Sequence, residues 1–161
     1  MHEIPQSVSC FVCGAENPYG LNQRFLVEDG YVYTVFQAEP RHCGYPGVVH
    51  GGIVAALLDE TLGWAASAVK RKYFMTADLC VRYRRPVPQG IEVRVVGRYL
   101  GDKLAFWLTE GEIIGPADQV YATATARYRA APEEAGEVFL RQVQSRSSGG
   151  DPFGTPRQER P

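Results

Sequence analysis

The chain has 161 residues, 45% of them hydrophobic, which suits one domain with a real core and excludes disorder as its global state. Lys plus Arg number 17 against 18 for Asp plus Glu, a formal charge of −1, so no basic excess points to nucleic acid. There is no apolar run of about 18 residues to suggest a membrane span, and the first residues lack a secretory pattern. A cytoplasmic location is therefore expected, with the four cysteines as reduced thiols or metal ligands, not disulfides.

Residues 1–22, rich in Gly, Pro, Asn and Cys, read as a mostly looped leader with room for one helical turn. The main domain is expected over residues 23–131. Its first strands, 24–27 and 31–36, flank Asp29-Gly30, a strong hairpin signal. Further strands are predicted over 76–83, 92–100, 104–110 and 119–129, with turns at Gly101-Asp102 and Gly115-Pro116. The last run, VYATATARY, alternates small apolar with polar or aromatic residues, so one of its faces is packed. Residues 132–144 suit a short amphipathic helix with Val138, Phe139 and Val143 on its apolar face. Residues 145–161 read as a disordered tail.

Gly51–Lys70, GGIVAALLDETLGWAASAVK, differs from every other segment. It has no proline, is apolar all round, and ends in Lys70, Arg71 and Lys72, where cations suit a helix dipole. One such helix, buried on nearly every side, among about five to six mainly antiparallel strands predicts an α+β fold with the sheet curled around the helix.

Asp59 and Glu60 lie inside this helix. Adjacent positions point about 100° apart, so the two carboxylates do not share a face. Asp59 looks over Ala55, Ala56, Leu62, Gly63 and Ala66, a mostly small stripe with room for a ligand or another backbone. Glu60 lies over Ala56, Leu57, Gly63 and Trp64. A carboxylate in such surroundings works or finds a partner, because an unpaired one is costly.

His50 stands at the cap position. Gly51 and Gly52 open the first turn, where backbone N–H groups lack intrahelical acceptors and the dipole favours negative charge. This is an oxyanion hole in outline, against the alternative that the glycines only permit tight packing. Gly51 and Asp59 are eight residues apart, roughly 12 Å along the axis at about 1.5 Å per residue. One carbonyl needs donor and attacker each within about 3 Å. If both act on it, two chains must share the site across a two-fold axis.

GYPGVVHGGIVAALLDETLGWAA followed by TADLCVRYRRPVPQG resembles the hotdog-fold thioesterase superfamily, specifically its PaaI-like branch. The likeness covers roughly residues 10–129 and includes CFVCGAENPYGL at the start. It implies a hotdog fold, homodimers or dimers of dimers, and hydrolysis of acyl-CoA to a carboxylate and free CoA without a cofactor. It also implies that Asp59 is nucleophile or general base, that Gly51 of the neighbouring subunit supplies the oxyanion N–H, and that Thr76 orients water. Where some relatives carry Asn or Gln shortly before His-Gly-Gly, this chain has Cys43-Gly44.

Gly52 is a candidate to share the oxyanion, and His50 and Glu60 to contact substrate. Arg84 and Arg85 could meet CoA phosphates, or form a solvated strand end. Trp64, Tyr73 and Phe74 could line an acyl or aryl pocket, or pack in the core. Cys10-x-x-Cys13 is half of a zinc site whose second half is missing from the sequence, so no metal is expected; His42 and Cys43 are poorly spaced to complete it. The rival functions are a non-catalytic acyl-CoA binder and an enoyl-thioester hydratase or dehydratase using His50. The first would bind without turnover, and the second would add water across an enoyl thioester.

Overall fold

The computed structural model describes residues 1–144 and Phe153; the expected disordered tail otherwise lies outside the described residues. In chain order the strands are β1 (His2–Glu3), β2 (Gln6–Ser7), β3 (Leu26–Glu28), β4 (Tyr31–Gln37), β5 (Cys43–Tyr45) and β6 (Val48–Val49). Helix α1 (Gly51–Lys70) follows, then β7 (Phe74–Tyr83), β8 (Glu92–Lys103), β9 (Phe106–Ile114) and β10 (Val120–Ala130). Helix α2 (Glu133–Gln142) and β11 (Val143–Gln144) come last. A seven-stranded antiparallel sheet in the order β1-β3-β4-β8-β9-β10-β7 holds α1 against one face. This is the hotdog arrangement, with β1 and β3 as short additions at one edge and β7 as the long opposite edge.

Alternation along the strands decides which face meets the helix. Val32, Thr34 and Phe36 of β4, Val93 and Val95 of β8, Trp107, Thr109 and Ile113 of β9, and Ala122, Ala124, Ala126 and Tyr128 of β10 are buried. Leu62 of α1 is fully buried. It rests on Gly97 and Gly111, which stand opposite each other on β8 and β9. A Cβ at Gly111 would lie 2.8 Å from Leu62 Cδ2 and 2.2 Å from Val96 O, so only a hydrogen fits there.

Several expectations change in the structure. Gly101-Asp102 is not a turn: β8 runs on to Lys103 and the hairpin closes through Leu104-Ala105, with Leu104 at φ 56°. Asp102 stays in the strand, where its carboxylate pairs with Lys70 at 2.6 Å. α1 is not buried on every side. Val54, Leu57, Leu58 and the run 61–67 are buried, while Ala55, Ala56, Asp59 and Glu60 are half-exposed. By length and composition α1 could cross a bilayer, but its apolar character is accounted for by the sheet it packs on. The leader is mostly loop, as its composition suggests, but it is tied to the domain: β1 pairs with β3, β2 pairs with β11, and Ile4, Val12, Cys13 and Leu21 enter the core.

Candidate active site

Three elements converge on Asp59. The Thr76 hydroxyl of β7 donates to Asp59 Oδ1 at 3.0 Å and lies 3.3 Å from Oδ2. The Tyr128 hydroxyl of β10 lies 3.0 Å from Oδ1 and 2.8 Å from the Asp59 carbonyl oxygen. Oδ2 is thus the less engaged oxygen. Burial raises the carboxyl above its ordinary 3.8, while the two hydroxyl donors pull it back. Burial and the nearby carboxylate push the Tyr128 phenol far up, so it remains a neutral donor.

A β-bulge makes this grip possible. Tyr128 stands opposite Thr76, but Arg127 pairs with Asp78, so Ala77 is the extra residue. Thr76 and the half-buried Leu79, three apart, can then both turn towards α1, which strict alternation would forbid. The small stripe beside Asp59 is not all open space. The Phe74 ring fills the notch at Gly63, where a Cβ would sit 2.2 Å from Phe74 Cε2.

The start of α1 forms a second centre. Nδ1 of His50, the N-cap, accepts from Gly52 N–H at 2.9 Å. That amide is already used, which removes Gly52 from the expected oxyanion donors and gives His50 Nδ1 a capping role. Gly51 N–H has no acceptor among the described residues. Tyr83 O–H donates to Gly51 O at 2.9 Å. A cavity of about 470 Å³ opens here, lined by Tyr45, His50, Gly51, Tyr83, Arg84 and Arg85 among others. Arg84 and Arg85 therefore do reach the Gly51 end of the helix. Arg85 is partly occupied, because Gln119 Oε1 accepts from its Nε at 2.7 Å in the amide orientation that suits both groups. A larger hollow of about 660 Å³ on the sheet, among Cys80, Arg82, Arg98 and Glu112, includes neither Gly51 nor Asp59.

Glu60 does not join Asp59. Its Oε1 accepts from Trp64 Nε1 at 3.0 Å and lies 3.7 Å from Cys10 Sγ, facing the leader. The 100° step between neighbours on a helix sends it to another side from Asp59. Burial, followed by the charge of Cys10, raises its carboxyl to about 8. A hydrogen bond from the Cys13 thiol is the largest cause that brings Cys10 down to about 6, helped by the Val12 and Cys13 amides. His42 and Cys43 lie elsewhere, bonded to Glu39 N and Gln89 Oε1 respectively. Trp64 is buried and packs edge-on to Tyr73 and Phe74. The same three aromatics also line a cavity of about 330 Å³ beside Glu60.

Sequence reasoning did not single out Tyr128 or Tyr83. Tyr128 carried a faint signal, as the one large residue in the inward phase of an alanine strand.

A sequence profile described as thioesterase superfamily matches residues 46–113. Acyl-coenzyme A thioesterase THEM4 of Bos taurus is 39% identical over 80 residues, covering 48% of this chain and 32% of that protein. The Mus musculus protein of the same name is 38% identical over 55 residues, 34% of this chain and 23% of its own. The matches thus span less than a third of either curated relative. A crystallised thioesterase superfamily protein is 31% identical, with TM-score 0.69, covering 74% of this chain and 62% of that one. A thioesterase superfamily protein from Shewanella loihica is 28% identical, with TM-score 0.56, covering 73% of this chain and 96% of its own. The matched segment is similar to the thioesterase superfamily, and the sheet wrapped on one central helix is the hotdog fold that these neighbours share.

Proposed function

We propose that the protein hydrolyses an acyl-CoA thioester. The observation that carries this reading is the Asp59 carboxylate on the central helix, half-buried and gripped through Oδ1 by Thr76 and Tyr128. Two hydroxyl donors fix its orientation and leave Oδ2 to act on the substrate, directly or through a water. On the water route Oδ2 takes a proton as the water oxygen bonds to the thioester carbon, the carbonyl oxygen gains charge beside Gly51 N–H, the C–S bond breaks, and that proton passes to the departing CoA sulfur, leaving the free acid. Arg84, exposed at the Gly51 cavity, offers a phosphate of CoA a charged partner.

The site is shared between two copies of the chain. Gly51 and Asp59 sit at different places on one rigid helix, too far apart for one carbonyl. The edge strand β7 supports the same pairing: it is ten residues long, carries Thr76, and exposes Met75 and Tyr83.

A hydrolysis screen with a thiol-detecting dye over short, long and aryl CoA esters tests the activity. Release of CoA that is abolished by Asp59→Asn is the expected result. Binding without turnover across the whole panel would sink it. Hydration of an enoyl thioester is disfavoured, because His50 Nδ1 is engaged in capping α1.

A further inference from the structure

The segment CFVCG folds into a tight turn in which Gly14 N–H donates to Cys10 O at 2.9 Å. The turn aims two backbone donors at one sulfur: Val12 N–H and Cys13 N–H lie 3.3 and 3.4 Å from Cys10 Sγ. Amides directed at a sulfur steady it as a thiolate and fix its direction, as outer partners do around metal ligands. Cys13, three residues on, is buried beside it.

A third donor, from a distant part of the chain, completes the group. α1 delivers Glu60, and the ligand atoms of Cys10, Cys13 and Glu60 all lie within 4.8 Å of one another. The spacing can be tested against coordination geometry. With zinc at about 2.3 Å from sulfur and about 2.1 Å from oxygen, a tetrahedral angle separates the two by about 3.6 Å. Cys10 Sγ and Glu60 Oε1 are 3.7 Å apart, a long sulfur hydrogen bond when no ion is bound and the right separation for two ligands of one ion. Trp64 Nε1 holds the same carboxylate from one helical turn further on. Among the described residues no Lys or Arg pairs with Glu60, so this half-buried acid has donors around it and no paired positive charge.

We propose that Cys10, Cys13 and Glu60 bind one divalent metal ion of the zinc class, with a water from the adjoining cavity as fourth ligand, clamping the leader turn to the central helix. Two soft sulfurs select against magnesium and calcium. The neighbouring cavity of about 330 Å³, lined by Ser7, Ser9 and Trp64 among others, has room for that water. The sequence shows only half of this site because the remaining protein donor is a carboxylate 47 residues beyond Cys13, with no second Cys pair to announce it.

The test uses the whole chain, reduced, freed of metal by a chelator and titrated with cobalt(II) alone, then with zinc. The expected result is one equivalent of cobalt, with a thiolate-to-cobalt charge-transfer band and the intense visible bands of four-coordination, displaced by zinc. Zinc should also raise the melting temperature of the wild type. Cys10→Ser and Glu60→Gln should each weaken cobalt binding by at least about tenfold. Cys43→Ser, altering a thiol that rests on Gln89, should leave it unchanged. Folded, reduced wild-type protein that takes up no stoichiometric cobalt overturns the proposal, whether or not the variants fold. So does a weak octahedral spectrum without the thiolate band, or unaltered binding in Glu60→Gln.

Discussion

At Asp59 two opposing effects act on one carboxyl group: burial disfavours its charge, and two hydroxyl donors favour it. Burial wins, so the folded-state value stands above the ordinary 3.8. The charged form then costs stability, a cost absent below pH 3.8 and growing as pH rises through the folded value. Asp59→Asn should therefore melt higher than wild type at neutral pH, with the difference fading towards pH 3.8, as followed by thermal denaturation. The same variant should lose at least about a hundredfold in kcat, the scale for losing a general base. Tyr128→Phe keeps the ring that packs edge-on against Phe74 at 5.3 Å but removes a donor to the carboxylate. It should lower kcat and move the acid limb of the pH–rate profile to higher pH; an unmoved limb would remove Tyr128 from the site. Asp59 was visible in the sequence because an acid in an apolar helix is conspicuous. Tyr128 was not, since alternation gives its face but not the partner that its hydroxyl reaches.

At the level of elements, α1 was legible to its ends. Gly-Gly marks the start, and the basic run marks the finish, where Arg71 takes a left-handed φ of 53°. Gly51 is the first helical residue after an N-cap with φ −60° and ψ 133°, a conformation that tolerates a following proline. Gly51→Pro thus deletes one N–H while leaving the helix start intact. Its kcat should fall by about 10²–10³, the usual scale for losing an oxyanion donor, with circular dichroism unchanged. The bulge at Ala77 was not legible, because a single extra residue leaves the strand's composition unaltered. Phe74, at the start of the same strand, fills the notch at Gly63. Gly63→Ala should destabilise by about 1–3 kcal/mol in urea titrations, the usual scale of overpacking.

For the molecule as a whole, a helix wrapped by a sheet and a mostly looped leader were legible in the sequence, but not the long-range pairing that carries Ile4, Val12, Cys13 and Leu21 of that leader into the core. Local composition carries no record of such pairing. The shared site makes a sharp prediction. Gly51→Pro and Asp59→Asn protomers, each inactive alone, should regain activity when unfolded and refolded together. Half the dimers would be mixed and one of their two sites complete, so recovery should approach about a quarter of wild type. Sites confined to one chain would give none.

Leu62, seated over Gly97 and Gly111, works like a peg in a notch. It sets where the rod rests on its cradle, and Asp59 lies less than one turn earlier on that rod. Alignment of the acid with Thr76 and Tyr128 is thereby delegated to two hydrogen atoms on the far strands. A methyl group at residue 111 would press on the Val96 carbonyl, which cannot swing aside as a side chain can. Such a change, remote from any reacting atom, would reach the chemistry by lifting the rod.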